Sequence, residues 1–285
     1  MKKRILSGLL VAAMLLTSLP TAAFAADDTN AEAPDTGETQ TILPQSEGDA
    51  EQSTVTAPSY EVSTTAELST ALTQIATRAE DEATIVLKDN VTAPSTPESA
   101  YVTSFGVAGK HITVKSLDGE MKNISFASRG VLTGDCTFDN VNVTGRRLFC
   151  NGYRTIFTEN GKIYLSETLY GGGYKRTVDS TYVVIAASGS INSSSSSGLH
   201  DVIGGSYQGS VEGDTYLEIT GSLQMQGGNH LNPGCVMGDG TSGDGKNSPA
   251  VYVGGNATLI YDNPNSKTSP GIEGSYGCEM KGNVT

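Results

Sequence analysis

The sequence predicts an all-β chain wound as a parallel β-helix, a solenoid of short strands stacked coil upon coil. Three observations carry that expectation: brief runs of alternating apolar residues, an internal repeat of 33 to 34 positions, and glycine in quantity between the runs. Ile112 and Val114, Ile124 and Phe126, Phe138, Val141 and Val143, Val183 and Ile185, and Leu217 and Ile219 all follow the period of two that buries one face of a strand. Thr, Ser and Asn fill the positions between them.

The repeat emerges when Tyr170-Gly-Gly-Gly through Val183-Val184-Ile185 to Ser190-Ile191 is laid over Ile203-Gly204-Gly205 through Leu217-Glu218-Ile219 to Ser222-Leu223. Tyr182 and Tyr216 are 34 positions apart, and Gly171 and Gly204 are 33 apart. Gly255-Asn256-Ala257-Thr258 and Gly282-Asn283-Val284-Thr285 echo each other at 27, so the period is irregular. A single unit of this kind has too little apolar surface to be stable, and stacking units in register buries a continuous core. The 34 glycines among 285 residues supply turns with positive φ between the sheets of a coil. A β-sandwich or jelly roll is the alternative, and it calls for hairpin signals between paired strands. Asn151-Gly152 and Glu159-Asn160-Gly161 are the few matches.

From the N-terminus, Met1-Lys2-Lys3-Arg4 is a basic n-region, Ile5 to Leu16 an apolar stretch too short to span a bilayer, and Ala23-Phe24-Ala25 a small-x-small cleavage pattern. Residues 1–25 therefore read as a signal peptide. An uncleaved anchor is the other reading, and the flank lacks the basic stop-transfer cluster it calls for. Residues 26–58 contain no Lys, Arg or aromatic residue and read as a disordered acidic linker, since they cannot bury enough apolar surface to offset their ordering entropy. The remainder, 59–285, is expected to be one domain.

One helix is predicted, from about Thr65 to Arg78. Leu68, Ala71, Leu72, Ile75 and Ala76 follow helical spacing, and Thr64 with Glu67 makes a capping box. Thr84 to Lys88 follows as a buried strand. At the other end, Gly282-Asn283-Val284-Thr285 reads as the start of another strand, and a solenoid ending there without a cap reads as a fragment of a longer protein.

The capped helix with Leu68-Ser-Thr-Ala-Leu72, the strand Thr84-Ile85-Val86-Leu87 and rungs such as Cys136-Thr-Phe138-Asp-Asn140-Val141-Asn-Val143 resemble the start of right-handed parallel β-helix, pectate-lyase-like domains. The resemblance spans about Ser59 to Thr285 and implies a helix capping the N-terminal end of the coil. Phe149-Cys-Asn151-Gly-Tyr153-Arg-Thr-Ile-Phe157 and Leu169-Tyr170-Gly-Gly-Gly are similar to stretches of secreted adhesin-like surface proteins of Gram-positive anaerobes. The implied role is adhesion or structural presentation at a cell surface, with glycan contact. Pectate-lyase-like folds also carry polysaccharide lyases and glycoside hydrolases, so an enzyme is the alternative.

Composition excludes some partners. A net charge of -13 offers no basic stripe to displace counterions from nucleic acid, and no polybasic patch marks membrane association once the signal is cleaved. Uronate elimination needs an Arg or Lys base near clustered carboxylates and Ca2+, and glycoside hydrolysis needs paired carboxylates. Region 59–285 contains no adjacent Asp-Asp, Gly-His-Gly or Arg-x-Pro-x-x-Arg, and His111, His200 and His230 have no partner motif. No catalytic residue, cofactor-binding residue or metal ligand is therefore assigned. The nearest approach to a Ca2+ site is Asp239 and Asp244 in a Gly-rich stretch that reads as a loop.

Arg146-Arg147 and Lys175-Arg176 are basic pairs suited either to an anionic glycan or to solvated turns. Tyr153, Tyr170, Tyr174, Tyr207 and Tyr276 stand beside glycine turns, where rings either stack on sugars or pack along the outside of a coil. Ser193 to Ser197 reads as a loop at a rung edge. Cys136, Cys150, Cys235 and Cys278 lack metal-binding spacing; they are either small buried residues or disulfide partners in one of three pairings.

Overall fold

Short parallel strands, passing repeatedly through three sheets, are the main regular structure of the described residues. The computed structural model describes residues 57–117, 119–191, 202–225, 230–235, 251–264, 271–272 and 278–285. The signal peptide expected at 1–25 and all but the last two residues of the expected linker lie outside them.

The first sheet runs, in spatial order, through Ser59–Val62, Glu82–Leu87, His111–Ser116, Asp135–Asp139, Thr155–Phe157, Thr181–Ile185, Thr215–Ile219 and Ala257–Tyr261. The second takes Val91–Thr92, Lys122–Ser125, Val141–Gly145, Lys162–Leu165, Ser188–Ile191 and Leu223–Met225. The third takes Ser95–Thr96, Ser99–Phe105, Arg129–Leu132, Leu148–Phe149, Leu169–Tyr170, Val202–Ile203, His230–Asn232 and Gly271–Ile272. From Glu82 to Asn232 the chain visits the first, second and third sheet in turn, each time returning to the first beside its previous strand. Neighbours within the three sheets are parallel, apart from Ser95–Thr96 against Ser99–Phe105. The chain is thus mostly β with long parallel sheets, as a β-solenoid requires.

Register accounts for the repeat. Tyr182 pairs with Tyr216, the offset of 34 read from the sequence, and Ala257 bridges to Val284 at 27. Between them Thr215 pairs with Ala257, 42 residues on. Strands keep their register while the connections differ in length, and this makes the period irregular. One sequence alignment needs correction: Ile191 pairs with Met225 and Gly189 with Leu223, so Ser190-Ile191 does not lie over Ser222-Leu223. The run from Phe138 to Val143 is likewise two strands of different sheets. Asn140, at φ 50°, makes the corner between them. Asn151 (φ 60°) and Gly152 (φ 86°) form a corner too, where the sequence signal for a hairpin gave a turn between strands of different sheets.

A single apolar cluster draws on all three sheets, including Ile112 and Val114, Ile124 and Val143, and Leu132 and Leu148. Equivalent positions stack like on like. Phe138 pairs in register with Phe157, their rings stacked with centroids 5.2 Å apart, and Phe105 leans on Phe138 at 6.0 Å.

The helix occupies Thr65–Ala76, two residues shorter at its end than the periodicity predicts. Its last turn tightens, with the N–H groups of Thr77 and Arg78 donating to Gln74 and Ile75, three residues back. The capping box forms as expected: Thr64 accepts from the Glu67 N–H at 3.2 Å, and Glu67 accepts from the Thr64 N–H at 3.2 Å. Leu68, Ala71 and Ile75 join the main core, and the Thr65 hydroxyl donates to the Thr92 carbonyl at 2.9 Å.

Because Phe138 is held between two other rings, its neighbours have little freedom to close over a void. Phe138→Ala is expected to lower unfolding free energy by about 3–5 kcal/mol, measured by guanidinium denaturation followed by circular dichroism.

Candidate functional site

Outside the third sheet the chain adds a further layer. After Tyr170, Ile203 and Asn232, which share one register position, it leaves the sheet through glycine-rich turns before returning to the first sheet. These excursions pair with one another. Gly171 N–H donates to Ile203 O at 2.8 Å, Gly172 N–H to Gly205 O at 2.8 Å, and Lys175 N–H to Tyr207 O at 2.7 Å. A Cβ on Gly171 would stand 2.1 Å from the Gly204 carbonyl oxygen, so close backbone approach demands glycine there. Farther out, Val178, Val211 and Val253 bridge in a parallel ladder, and Tyr252–Val253 pairs with Glu279–Met280.

Between sheet and excursion lies an aromatic cluster. Phe149 and Tyr170 stack at 4.5 Å, Tyr174 and Tyr207 stack at 5.4 Å, and each second pair meets the first edge-on. Burial pushes the Tyr170 phenol up to about 12. The Arg129 guanidinium lies over Tyr174, 3.7 Å from its centroid, and the Lys175 ammonium is 5.5 Å from the same ring.

The first sheet carries a second column of the same construction on its outer side. Arg154 lies 5.0 Å from the centroid of Tyr182, which stacks on Tyr216 at 4.7 Å. The Tyr216 hydroxyl donates to Glu218 Oε2 at 2.6 Å, which together with partial burial raises that phenol to about 12. Both columns read arginine, tyrosine, tyrosine along the stack. The rings therefore spend faces on each other and on guanidinium, and what they turn outward is edges and hydroxyls. This arrangement suits polar and ionic contact better than stacking on a sugar face.

Charge collects at the third-sheet column. Gly130 pairs with Leu148, so Arg129 and Arg147 are neighbours on adjacent rungs, about 4.8 Å apart along the stack. Glu167 accepts hydrogen bonds from the Nε atoms of both Arg146 and Arg147, with its side chain only 9% exposed. One carboxylate thus serves two guanidinium groups, leaving an excess of positive charge beside Arg129 and Lys175. Lys175 has φ 52°, and Gln208, at the same point of the next excursion, has φ 53°. Left-handed backbone at both positions marks a repeated turn.

The sequence singled out Arg146, Arg147 and Lys175, and the structure groups them with Arg129, which the sequence reading missed. Arg129 and Arg154 were discernible only once coils were aligned: Arg154 stands one rung before Tyr182, and Arg129 two rungs before Tyr174. Tyr170, Tyr174 and Tyr207 come together, whereas Tyr153 packs against the main core. His111 is hydrogen-bonded through Nε2 to the Thr137 hydroxyl at 2.9 Å. His200, the side chain of His230, Asp239, Asp244, Tyr276 and the Ser193 to Ser197 run lie outside the described residues. Among the described residues no three His, Cys, Asp or Glu side chains converge as metal ligands. Cys136, Cys150 and Cys235 are buried, Cys278 is half-buried, and all four stand as thiols.

Compared with protein-family models, curated proteins and solved structures, the chain matches none.

Two measurements probe these columns. Glu167→Ala removes the covered carboxylate that two guanidinium groups share and is expected to cost about 1–3 kcal/mol, read as a shift in the denaturation midpoint. The Tyr216 phenol, raised in the folded state, stabilises the fold fully below its unfolded pKa near 10 and loses that contribution as pH rises towards 12. Glu218→Gln is expected to bring its ionisation back towards 10, followed by ultraviolet difference absorption of phenolate during alkaline titration.

Proposed function

We propose that this chain is an exported, noncatalytic right-handed parallel β-helix, capped at its N-terminal end by Thr65–Ala76, that contacts anionic glycans at a cell surface. In this reading residues 1–25 direct export and 26–58 form an acidic tether. Right-handedness follows the near-universal preference of parallel crossover connections. The cap reading rests on Leu68, Ala71 and Ile75 joining the core where the strands of the first and second sheets begin.

One observation carries the functional reading: a chain of net charge -13 sets Arg129 and Lys175 over Tyr174 on its outer layer, with Arg147 on the rung next to Arg129. Acidic proteins of this kind repel polyanions at large, so a local cationic patch gives selectivity to a ligand that reaches it in one orientation. A guanidinium group resting on a ring face keeps its donor edges available for a carboxylate or sulfate on a sugar. Tyrosine hydroxyls at the rim add donors and acceptors for neutral sugar oxygens.

The purified chain is to be tested on immobilised uronate-containing, sialylated and sulfated glycans beside their neutral counterparts. Retention is expected on acidic glycans and is expected to weaken as salt is raised. Lys175→Gln preserves the turn, since glutamine occupies the equivalent left-handed position at 208, and Arg129→Ala removes the guanidinium over the ring. Each is expected to weaken retention about fivefold or more. No retention on any acidic glycan, or equal retention of these variants, defeats the reading. Release of unsaturated or reducing sugars by the same preparation replaces it with the lyase or hydrolase alternative.

A further inference from the structure

The outer ladder has a small core of its own, made of Val178, Val211, Cys235, Val251 and Val253, with Cys278 and Met280 packed against it. Cys235 reaches it from the glycine turn that follows His230–Asn232. Gly205 leaves the space it occupies: a Cβ there would stand 2.8 Å from Cys235 Sγ. Cys235 Sγ lies 3.8 Å from the Tyr252 carbonyl oxygen. Tyr252 pairs with Glu279, and the Glu279 N–H donates to the Val251 carbonyl at 2.9 Å, which brings the preceding residue, Cys278, to the same place. Cys278 packs against the small cluster to which Cys235 belongs. They stand 43 positions apart in sequence and meet through the register of the ladder.

Cys136 and Cys150 are differently situated. Both are fully buried in the main core, and Cys136 Sγ donates to the Gly134 carbonyl at 3.3 Å. Burial raises both thiols, that of Cys150 to about 12, and keeps them from attacking as thiolates.

We propose that Cys235 and Cys278 form a disulfide in an oxidising thiol buffer while Cys136 and Cys150 remain thiols. Cys278 is the half-buried member and reacts first, because the neighbouring Cys278 side chain and burial push the Cys235 thiol well up. Its thiolate attacks one sulfur of glutathione disulfide, breaking that S–S bond and releasing one glutathione thiolate. Cys235, losing its proton to solvent, then attacks Cys278 Sγ in the mixed disulfide and releases the second glutathione. Two protein thiols give up two electrons and two protons in all, and one glutathione disulfide becomes two glutathione molecules. The new bond ties the turn after Asn232 to the strand Glu279–Met280 and closes a long loop in the unfolded chain.

The test equilibrates the full chain with glutathione disulfide in excess over glutathione, then quenches it with an alkylating reagent under denaturing conditions and maps its peptides by mass. The expected product joins the Cys235 and Cys278 peptides with loss of two hydrogens, and carries the alkyl label on Cys136 and Cys150. Cys235→Ser is expected to trap Cys278 as a glutathione adduct, and Cys136→Ser to leave the cross-link intact. Circular dichroism of each variant establishes that the fold is retained. A different pairing, or quantitative alkylation of Cys235 and Cys278 in folded protein after equilibration, overturns the proposal. Since the oxidant is supplied in solution, the result stands apart from both export and glycan binding.

Discussion

In-register parallel pairing governs this chain: each strand sits one rung above its predecessor, so each side chain meets the occupant of the same position one coil away. Everything else follows from that repetition. Inward positions must be apolar in every coil, and the stacked pair Phe138 and Phe157 is the bulkiest instance, with Phe105 leaning on it from the third sheet. Backbone polar groups are satisfied between coils, so the strands can be as short as two residues, as at Leu148–Phe149, without leaving a buried peptide group unpaired. Among the described residues, unpaired strand edges fall at the outermost strands of each sheet.

The same repetition makes charge hazardous, because like residues recur beside like. The outer columns answer with neutral or opposite neighbours. On the first sheet Glu82 pairs with His111, His111 with Asp135, and Lys115 with Asp139. On the second, Asn142 donates to Asn123 at 2.9 Å and the Ser125 and Thr144 hydroxyls bond at 2.8 Å. Arg129 beside Arg147 breaks this pattern. The two are kept apart in direction, one flat on Tyr174 and the other turned to Glu167, and this makes their adjacency tolerable.

Much of the architecture was legible in the sequence, because alternation, helical spacing and capping are local. The offset between Tyr182 and Tyr216 passed directly into register, and the helix start was fixed by Thr64 and Glu67. What local patterns do not carry is where a strand turns a corner: Asn140 divides what looked like one alternating run. The candidate site was half legible. Its tyrosines and Lys175 stood out beside glycine, but Arg129 is brought to Tyr174 only by stacking across coils of unequal length. Cys235 and Cys278 likewise meet through a ladder whose pairing no spacing rule encodes.

The paired tyrosine stacks have an optical consequence. With 12 tyrosines and no tryptophan, the chain's near-ultraviolet signal belongs to phenols, with a small contribution from six phenylalanines. Rings stacked at 4.7 Å and 5.4 Å are close enough for their electronic transitions to couple, and guanidinium groups against Tyr182 and Tyr174 perturb one member of each pair. Separation of the coils dissolves that coupling at the same moment as it separates the strands. The chain therefore carries its own chromophore for the integrity of its stacking, one on the first sheet and one on the outer layer of the third.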